Sequence, residues 1–189
     1  MDAALRFRPV TRATKDDFLR LFEAPGGPKY CWCMAFRTTA EQARTLRGPE
    51  RRPLMLDRIE RNQPVGILAY AGDEPIGWVS IAPKYTYSRL GGPEPAAGEA
   101  IWSLACMYIP RQRRGQGLAH ALIDAAVAHS RQADATAVEA YPVDPDSPSY
   151  RFMGFVSAFE RAGFVPVGMA GTRRHVMRLT LPRDGGARG

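Results

Sequence analysis

Runs of apolar residues divide the 189-residue chain into strands and helices. Six runs have the composition of β-strands and lie at residues 5–10, 65–71, 76–82, 101–109, 136–141 and 176–181. The turn residues Gly72-Asp73-Glu74-Pro75 separate the second run from the third, which predicts a β-hairpin. The fourth run is almost entirely apolar, which is typical of a strand buried on both faces.

Five other segments show helical periodicity or helix-start signals. Two of them begin at Thr14 and at Thr38, and the other three cover residues 53–61, 118–131 and 154–162. Thr38 stands three residues before Glu41, a spacing typical of a capping box. Because strands and helices alternate after the hairpin, the order predicts one mixed-sheet α/β domain over residues 1–182. We expect residues 183–189 to form a disordered tail.

The composition is that of an ordinary globular domain, with 45% hydrophobic and 24% charged residues. No run approaches the roughly 20 apolar residues that a membrane-spanning helix needs. The N-terminal residues lack a basic region followed by an apolar stretch, so no signal peptide is predicted. We therefore expect a cytoplasmic protein without a membrane partner.

The charge and the cysteines argue against two other classes of protein. The formal net charge is +7, but the arginines are spread along the chain and are not interleaved with aromatic residues, so nucleic-acid binding is not favoured. The chain has only three cysteines, Cys31, Cys33 and Cys106, and this small, odd number argues against a disulfide framework. Cys31 and Cys33 supply only two of the four ligands of a structural zinc site, so we predict no metal.

The strongest chemical signal lies between Cys106 and Ala126, where a buried strand leads through Gly115 and Gly117 directly into a helix. Glycines leave backbone N–H groups unobstructed, and the helix N-terminus adds partial positive charge, so this turn can bind a phosphate or pyrophosphate. The Gly-Lys-Ser/Thr of a Walker loop is absent, and His120 occupies the last glycine position of a dinucleotide fingerprint. A tight turn without a ligand is the alternative interpretation.

The segment Arg114-Gly115-Gln116-Gly117-Leu118-Ala119 resembles the Arg/Gln-x-x-Gly-x-Gly/Ala motif of the GNAT N-acetyltransferase superfamily. The resemblance extends over residues 64–181 and implies a mixed, mostly antiparallel sheet with helices on both faces and splayed central strands. It also implies that acetyl-CoA lies between the fourth and fifth strands. The pyrophosphate would then lie on the amides of Arg114, Gly115, Gln116, Gly117, Leu118 and Ala119, and the pantetheine along Met107, Tyr108 and Ile109.

The same resemblance implies direct attack by an amine without an acyl-enzyme, so the cysteines are not expected to be nucleophiles. Ser103 stands where some family members have a glutamate base, and Glu99 and Glu139 are the nearest carboxylates in sequence. Phe159 stands where the family often has a tyrosine that protonates the leaving thiolate. The candidates that could replace this tyrosine are Tyr141, Tyr150 and Ser157.

The acceptor site is expected over the loop between the first two helices and the loop at 83–98. Cys31, Trp32, Cys33 and Met34 would line it, or alternatively this segment fills the edge of the core. The leading hypothesis is acetylation of a primary amine of a small molecule. A protein or peptide amine, a catalytically weak CoA-binding regulatory module and a homodimer remain open alternatives.

Overall fold

A computed structural model describes residues 4–182, which form a seven-stranded sheet in the order β1-β2-β3-β4-β5-β7-β6. The strands are β1 Leu5–Pro9, β2 Ile67–Ala71, β3 Glu74–Pro83, β4 Ile101–Tyr108, β5 Ala137–Ala140, β6 Val165–Ala170 and β7 Arg174–Thr180. Only β4 and β5 pair in parallel, and all other neighbours are antiparallel. The predicted mixed, mostly antiparallel sheet is therefore confirmed. The predicted tail at 183–189 lies outside the described residues.

Helices cover both faces of the sheet, as expected. They are α1 Lys15–Glu23, α2 Ala40–Thr45, α3 Gly48–Glu60, α4 Leu118–Gln132 and α5 Val156–Arg161. On one face, α1 and α3 bury Phe18 and Met55 against Trp78 of β3. On the other face, α4 and α5 bury Leu122 and Phe159 against the sheet. Helices α1, α3, α4 and α5 each contribute buried apolar residues to a core, whereas α2 buries none.

Several elements differ from the sequence predictions. The strand β6 was not predicted, because Val165, Val167 and Met169 are exposed on this edge strand and give no buried apolar run. Helix α3 begins at Gly48, five residues earlier than predicted. The capping box of α2 joins Thr39 to Gln42, one residue later than the predicted pair.

The central strands separate along their length. β5 pairs with β4 only from Ile101 to Leu104, and a β-bulge shifts the β3–β4 register after Leu104, opposite Ser80 and Ile81. Beyond the bulge, β4 keeps its partner β3 while the chain after Ala140 turns away. The gap on the β5 side of residues 105–108 confirms the splayed central strands.

Candidate functional site

A cavity of about 700 Å³ opens at the gap between the central strands. Residues 105–109 at the end of β4 form its floor, and residues 151–158, before and within α5, form one wall. The segment 26–36 forms the opposite wall, with Ser80 and Tyr87 beside it. The cavity therefore joins the loop before α4 to the loop after α1, the two regions that sequence analysis singled out.

The loop before α4 leaves a row of backbone donors unused. Gly115 and Gly117 have φ of 75° and 78°, a left-handed conformation that favours glycine. A Cβ placed on either glycine would meet no atom within 4 Å, so the space in front of them is open. Within the described chain, the amides of residues 115–119 donate no hydrogen bond. Five free N–H groups at the start of a 15-residue helix fit a pyrophosphate.

The predicted cofactor residues divide into three groups. Met107, Tyr108, Ile109, Arg114 and Ala119 line the cavity. Gly115, Gln116 and Gly117 form the adjoining exposed turn, where Gln116 Nε2 donates to the carbonyl of Gln112 at 3.1 Å. Leu118 is 4% exposed and packs against Gly77, so its side chain belongs to the core and only its amide is available.

Arg114 is positioned by the strand that precedes it. Its Nε donates to the carbonyl of Ile109 at 3.0 Å, and its side chain lines the cavity. This bond links the end of β4 to the start of the glycine turn, which leaves the rest of the guanidinium available for an anion.

The segment at 31–34 both lines the cavity and fills the core. Cys31 and Cys33 face the cavity. Trp32 stacks on Phe22 with ring centroids 5.6 Å apart, and Met34 is buried in the same cluster. Trp32 and Cys33 have φ of 48° and 51°, a strained left-handed conformation. The segment therefore contributes Trp32, Cys33 and Met34 to the core and Cys31 and Cys33 to the cavity lining, and contact with an acceptor stays a prediction.

The three thiols meet at the cavity. Cys33 Sγ lies 3.6 Å from Cys106 Sγ and accepts a hydrogen bond from Trp78 Nε1 at 3.0 Å. The hydrogen bond between Cys31 and Cys33, together with burial, raises the pKa of the Cys31 thiol. The contact with Cys106 is the largest cause that raises the pKa of Cys33. Cys31 and Cys33 are therefore neutral near pH 7.

The four predicted catalytic residues lie together but outside the cavity lining. The Tyr141 hydroxyl donates to Glu139 at 2.9 Å and lies 3.3 Å from Ser103 Oγ. Glu139 is fully buried and accepts hydrogen bonds from Lys84 and Arg178, each at 2.7 Å, and Arg178 also pairs with Glu99 at 2.9 Å. Burial, followed by the charge of Glu139, raises the pKa of Tyr141. Their catalytic roles stay predictions, and the geometry favours a structural ion-pair network.

The position of the missing family tyrosine is also in the core. Phe159 is fully buried, with its ring centroid 5.3 Å from that of Phe164, while the preceding residue, Ala158, lines the cavity. Tyr150 and Ser157, two of the candidates to replace this tyrosine, are both exposed and do not line the cavity.

Several lining residues had no local sequence signal. These are Arg51, Ser80, Tyr87, Arg151 and Phe152, whereas Tyr30 begins the segment that was expected to line the acceptor site. Tyr87 comes from the loop that was expected near the acceptor, but Arg51 is one of many arginines on an ordinary helix. Burial raises the pKa of Tyr30 to about 12 and raises the pKa of Tyr87 and Tyr108. These phenols therefore stay protonated at neutral pH.

Among residues 4–182, no group of three or more His, Cys, Asp or Glu side chains is arranged to hold a metal ion. None of the helices in this range is long and apolar enough to cross a membrane.

Known structures have the same fold at low sequence identity. A GNAT-family protein from Desulfovibrio desulfuricans is 21% identical, with a TM-score of 0.53 over 94% of this chain and 99% of that one. The PaiA N-acetyltransferase of Thermoplasma acidophilum, solved with coenzyme A, is 12% identical, with a TM-score of 0.56 over 94% and 99%. Arabidopsis thaliana NAA60, solved with acetyl-CoA, is 14% identical, with a TM-score of 0.55 over 94% and 100%. No curated protein matches the chain in sequence.

The sequence profile of the Acetyltransferase (GNAT) family matches residues 32–155, which include the whole glycine turn and β4. The chain therefore belongs to the GNAT acetyltransferase family, and the resemblance predicted from residues 114–119 is confirmed.

Proposed function

We propose that this protein is an N-acetyltransferase that moves the acetyl group of acetyl-CoA to a primary amine of a small molecule. The observation that carries the proposal is the row of five free amides at 115–119, beside an open gap in the sheet. Family membership supports acetyl transfer, and the relatives solved with coenzyme A or acetyl-CoA support the choice of donor.

The glycine turn and Arg114 bind the pyrophosphate, because free N–H groups, the helix dipole and a guanidinium all favour an anion there. In an antiparallel pair, every second residue directs its N–H and C=O away from the partner strand. Alternate residues of 105–108 therefore present unpaired backbone groups to the gap that β5 leaves. The pantetheine amides pair with these groups, and one N–H donates to the thioester oxygen, where negative charge develops.

The acceptor enters from the side of residues 26–36 and attacks the thioester carbon directly. A carbon–nitrogen bond forms, the carbon–sulfur bond breaks, and the amine gives up one proton. Coenzyme A leaves as a thiolate, and an ordinary thiol pKa near 8.5 makes it a tolerable leaving group without a dedicated acid. The neutral thiols Cys31 and Cys33 take no covalent part in this reaction.

A calorimetric titration of acetyl-CoA tests the site, with Gly117→Val as the variant and Gly171→Val as its control. Both glycines have positive φ and open space around the missing Cβ, so the backbone strain is matched. Only the side chain at 117 would cover the free amides. We expect the parent and Gly171→Val to bind acetyl-CoA and Gly117→Val to lose at least about tenfold in affinity.

Absence of binding to a folded parent would contradict the proposal. Binding without thiol release from small amines, but with turnover of a peptide amine, would change the acceptor class to peptides. Binding with no turnover of either would favour a CoA-binding regulatory module.

A further inference from the structure

The charged side chains that line the cavity are all positive. They are Arg51, Arg114 and Arg151, and no Asp or Glu is among the described residues that line it. A free alkyl ammonium would meet like charge here. An enzyme that accepts a simple cationic amine would be expected to avoid this repulsion, although only the neutral form of the amine reacts in acetyltransfer.

A fourth arginine lies behind the cavity wall. Arg37 is 5% exposed, and its guanidinium donates to the carbonyls of Cys33 and Val65 and to the Tyr87 hydroxyl, each within 2.9 Å. All three acceptors are neutral oxygens. Within residues 4–182, Arg37 forms no ion pair at 4.0 Å or less, and its buried Nε has no hydrogen-bond partner.

This positive charge is not neutralised by its surroundings. The pKa of Arg58 is lowered first by burial and second by the like charge of Arg37. The raised pKa values of Cys31 and Cys33 exclude thiolates as counter-ions near pH 7. The partly buried cations Lys84 and Arg178, in contrast, are both paired with Glu139. Because a buried unpaired charge is costly, a bound anion at this wall would stabilise the protein.

Arg51 is held in place on the acceptor side of the cavity. Its two terminal nitrogens donate to the carbonyls of Tyr30 at 3.1 Å and Ala43 at 3.3 Å, and its buried Nε is unpartnered. The carbonyl contacts carry no net charge, so the guanidinium keeps its positive potential. Arg114 lies at the other end, beside the glycine turn, where the cofactor phosphates are expected.

We propose that the acceptor is an amine that also carries an anionic group, a carboxylate or a phosphate. This inference rests on the proposed function. Arg51 binds the anion from the wall of residues 26–36 and Arg151 from the opposite wall, and the Tyr87–Ser80 hydroxyl pair, polarised by Arg37, donates to it. The same positive potential lowers the pKa of the bound ammonium and so favours the neutral, reactive amine.

Matched acceptors test the charge preference. Phenylalanine is compared with phenylalaninamide, and 2-aminoethyl phosphate with ethanolamine, by thiol release and by calorimetric binding to the acetyl-CoA complex. We expect the member of at least one pair that carries the carboxylate or phosphate to have a kcat/KM or affinity at least about tenfold higher than its partner without an anionic group. The amide has the less basic amine, so faster reaction of the acid would not reflect nucleophile protonation.

The variant Arg51→Gln tests the residue, with Arg61→Gln on the exposed end of the same helix as a control of equal charge. We expect Arg51→Gln to raise KM for the anionic acceptor by about tenfold while the affinity for acetyl-CoA stays unchanged. Arg61→Gln should change neither quantity.

The outcomes separate this inference from the proposed function. Failure of the parent to bind acetyl-CoA would overturn both. Two outcomes with normal acetyl-CoA binding would overturn the inference alone. In one, the acceptors without an anionic group react or bind as well as the anionic ones. In the other, neither anionic acceptor reacts or binds. The inference would also be overturned if Arg51→Gln and Arg61→Gln had equal effects on the KM for the anionic acceptor, or if Arg51→Gln weakened acetyl-CoA binding.

Discussion

Glu139 is the residue at which the sequence and the structure suggest different roles. Its position on β5, beside Ser103 of β4, is where a catalytic carboxylate would be sought. Yet its oxygens already accept from Lys84, Arg178 and Tyr141, and its side chain has no exposed surface. A carboxylate whose oxygens are occupied by three donor residues and which does not line the cavity is poorly placed to take a proton from an acceptor amine there.

We predict that Glu139→Gln lowers the free energy of unfolding by about 3–5 kcal/mol, because the fully buried carboxylate is lost, so that the partly buried Lys84 loses its ion-pair partner and Arg178 keeps only Glu99. Denaturation in urea measures the loss. The kcat per folded molecule should remain close to that of the parent.

Glu99→Gln is the matched control, since Glu99 pairs with the same Arg178 but is partly exposed. Its loss should be below about 1 kcal/mol. A stable Glu139→Gln protein that has lost its turnover would instead establish Glu139 as a catalytic residue.

The residues of the site differ in how far the sequence could predict them. Gly115, Gly117 and the end of β4 are local in the chain, so one short motif identifies them together. Arg37, Arg51 and Tyr87 come from three distant segments, and their meeting depends on how α3 and two loops pack. Pattern alone does not report such contacts, and arginines are frequent in this chain.

At the scale of elements, prediction worked where burial and periodicity agreed. β4 and α4 were predicted within one residue at each end, because one is buried and the other has a clear apolar side. β6 was missed because its apolar side chains face solvent. The predicted α3 began five residues later than the observed helix, which has Pro49 in its first turn and Pro53 within it. The short α5 was predicted to begin at 154, but a 3-10 turn and an extended residue precede it.

Gly154 determines how that turn joins α5. Its φ and ψ of 87° and 178° are accessible almost only to glycine. A Cβ there would lie 2.9 Å from Met107 Cε and 2.9 Å from Phe159 Cε2. The turn therefore packs directly on β4, and it positions Phe155 and Ala158 against the cavity.

We predict that Gly154→Ala lowers the free energy of unfolding by about 2–4 kcal/mol, through backbone strain and overpacking together. Displacement of Met107 should also weaken acetyl-CoA binding. Chemical denaturation and calorimetry measure the two effects.

Gly171→Ala provides the comparison, because Gly171 has φ of 73° with no atom near the added methyl group. It should lose only about 1–2 kcal/mol and bind acetyl-CoA normally. Equal losses in the two variants would show that strain alone decides stability at position 154.

At the scale of the whole molecule, three of the basic residues that contribute to the net charge of +7 line the cavity. Acidic residues pair with arginines on the outer surface, as Glu60 does with Arg12 and Asp57 with Arg61. The lining of the cavity contains arginines alone among charged residues of the described chain. The sequence predicted that the basic surface does not bind nucleic acid, but it could not show that three of the arginines line one cavity.

This charge distribution determines the expected pH dependence. No carboxylate lines the cavity within residues 4–182, and its phenols have raised pKa values, so no lining Asp, Glu or Tyr is a base near pH 7. The acceptor must then lose its proton to water before it attacks. The fraction of neutral amine rises tenfold per pH unit below the amine pKa, and kcat/KM should rise with it.

We predict that log kcat/KM rises with a slope of about 1 and levels off at the pKa of the acceptor itself. An acceptor with an α-amine should level off near pH 8, and one with a lysine-like amine only near pH 10. Thiol release measured from pH 6 to 10 with both acceptors tests this. A plateau at one pH for both acceptors would contradict the prediction, since it would report the titration of a group of the enzyme.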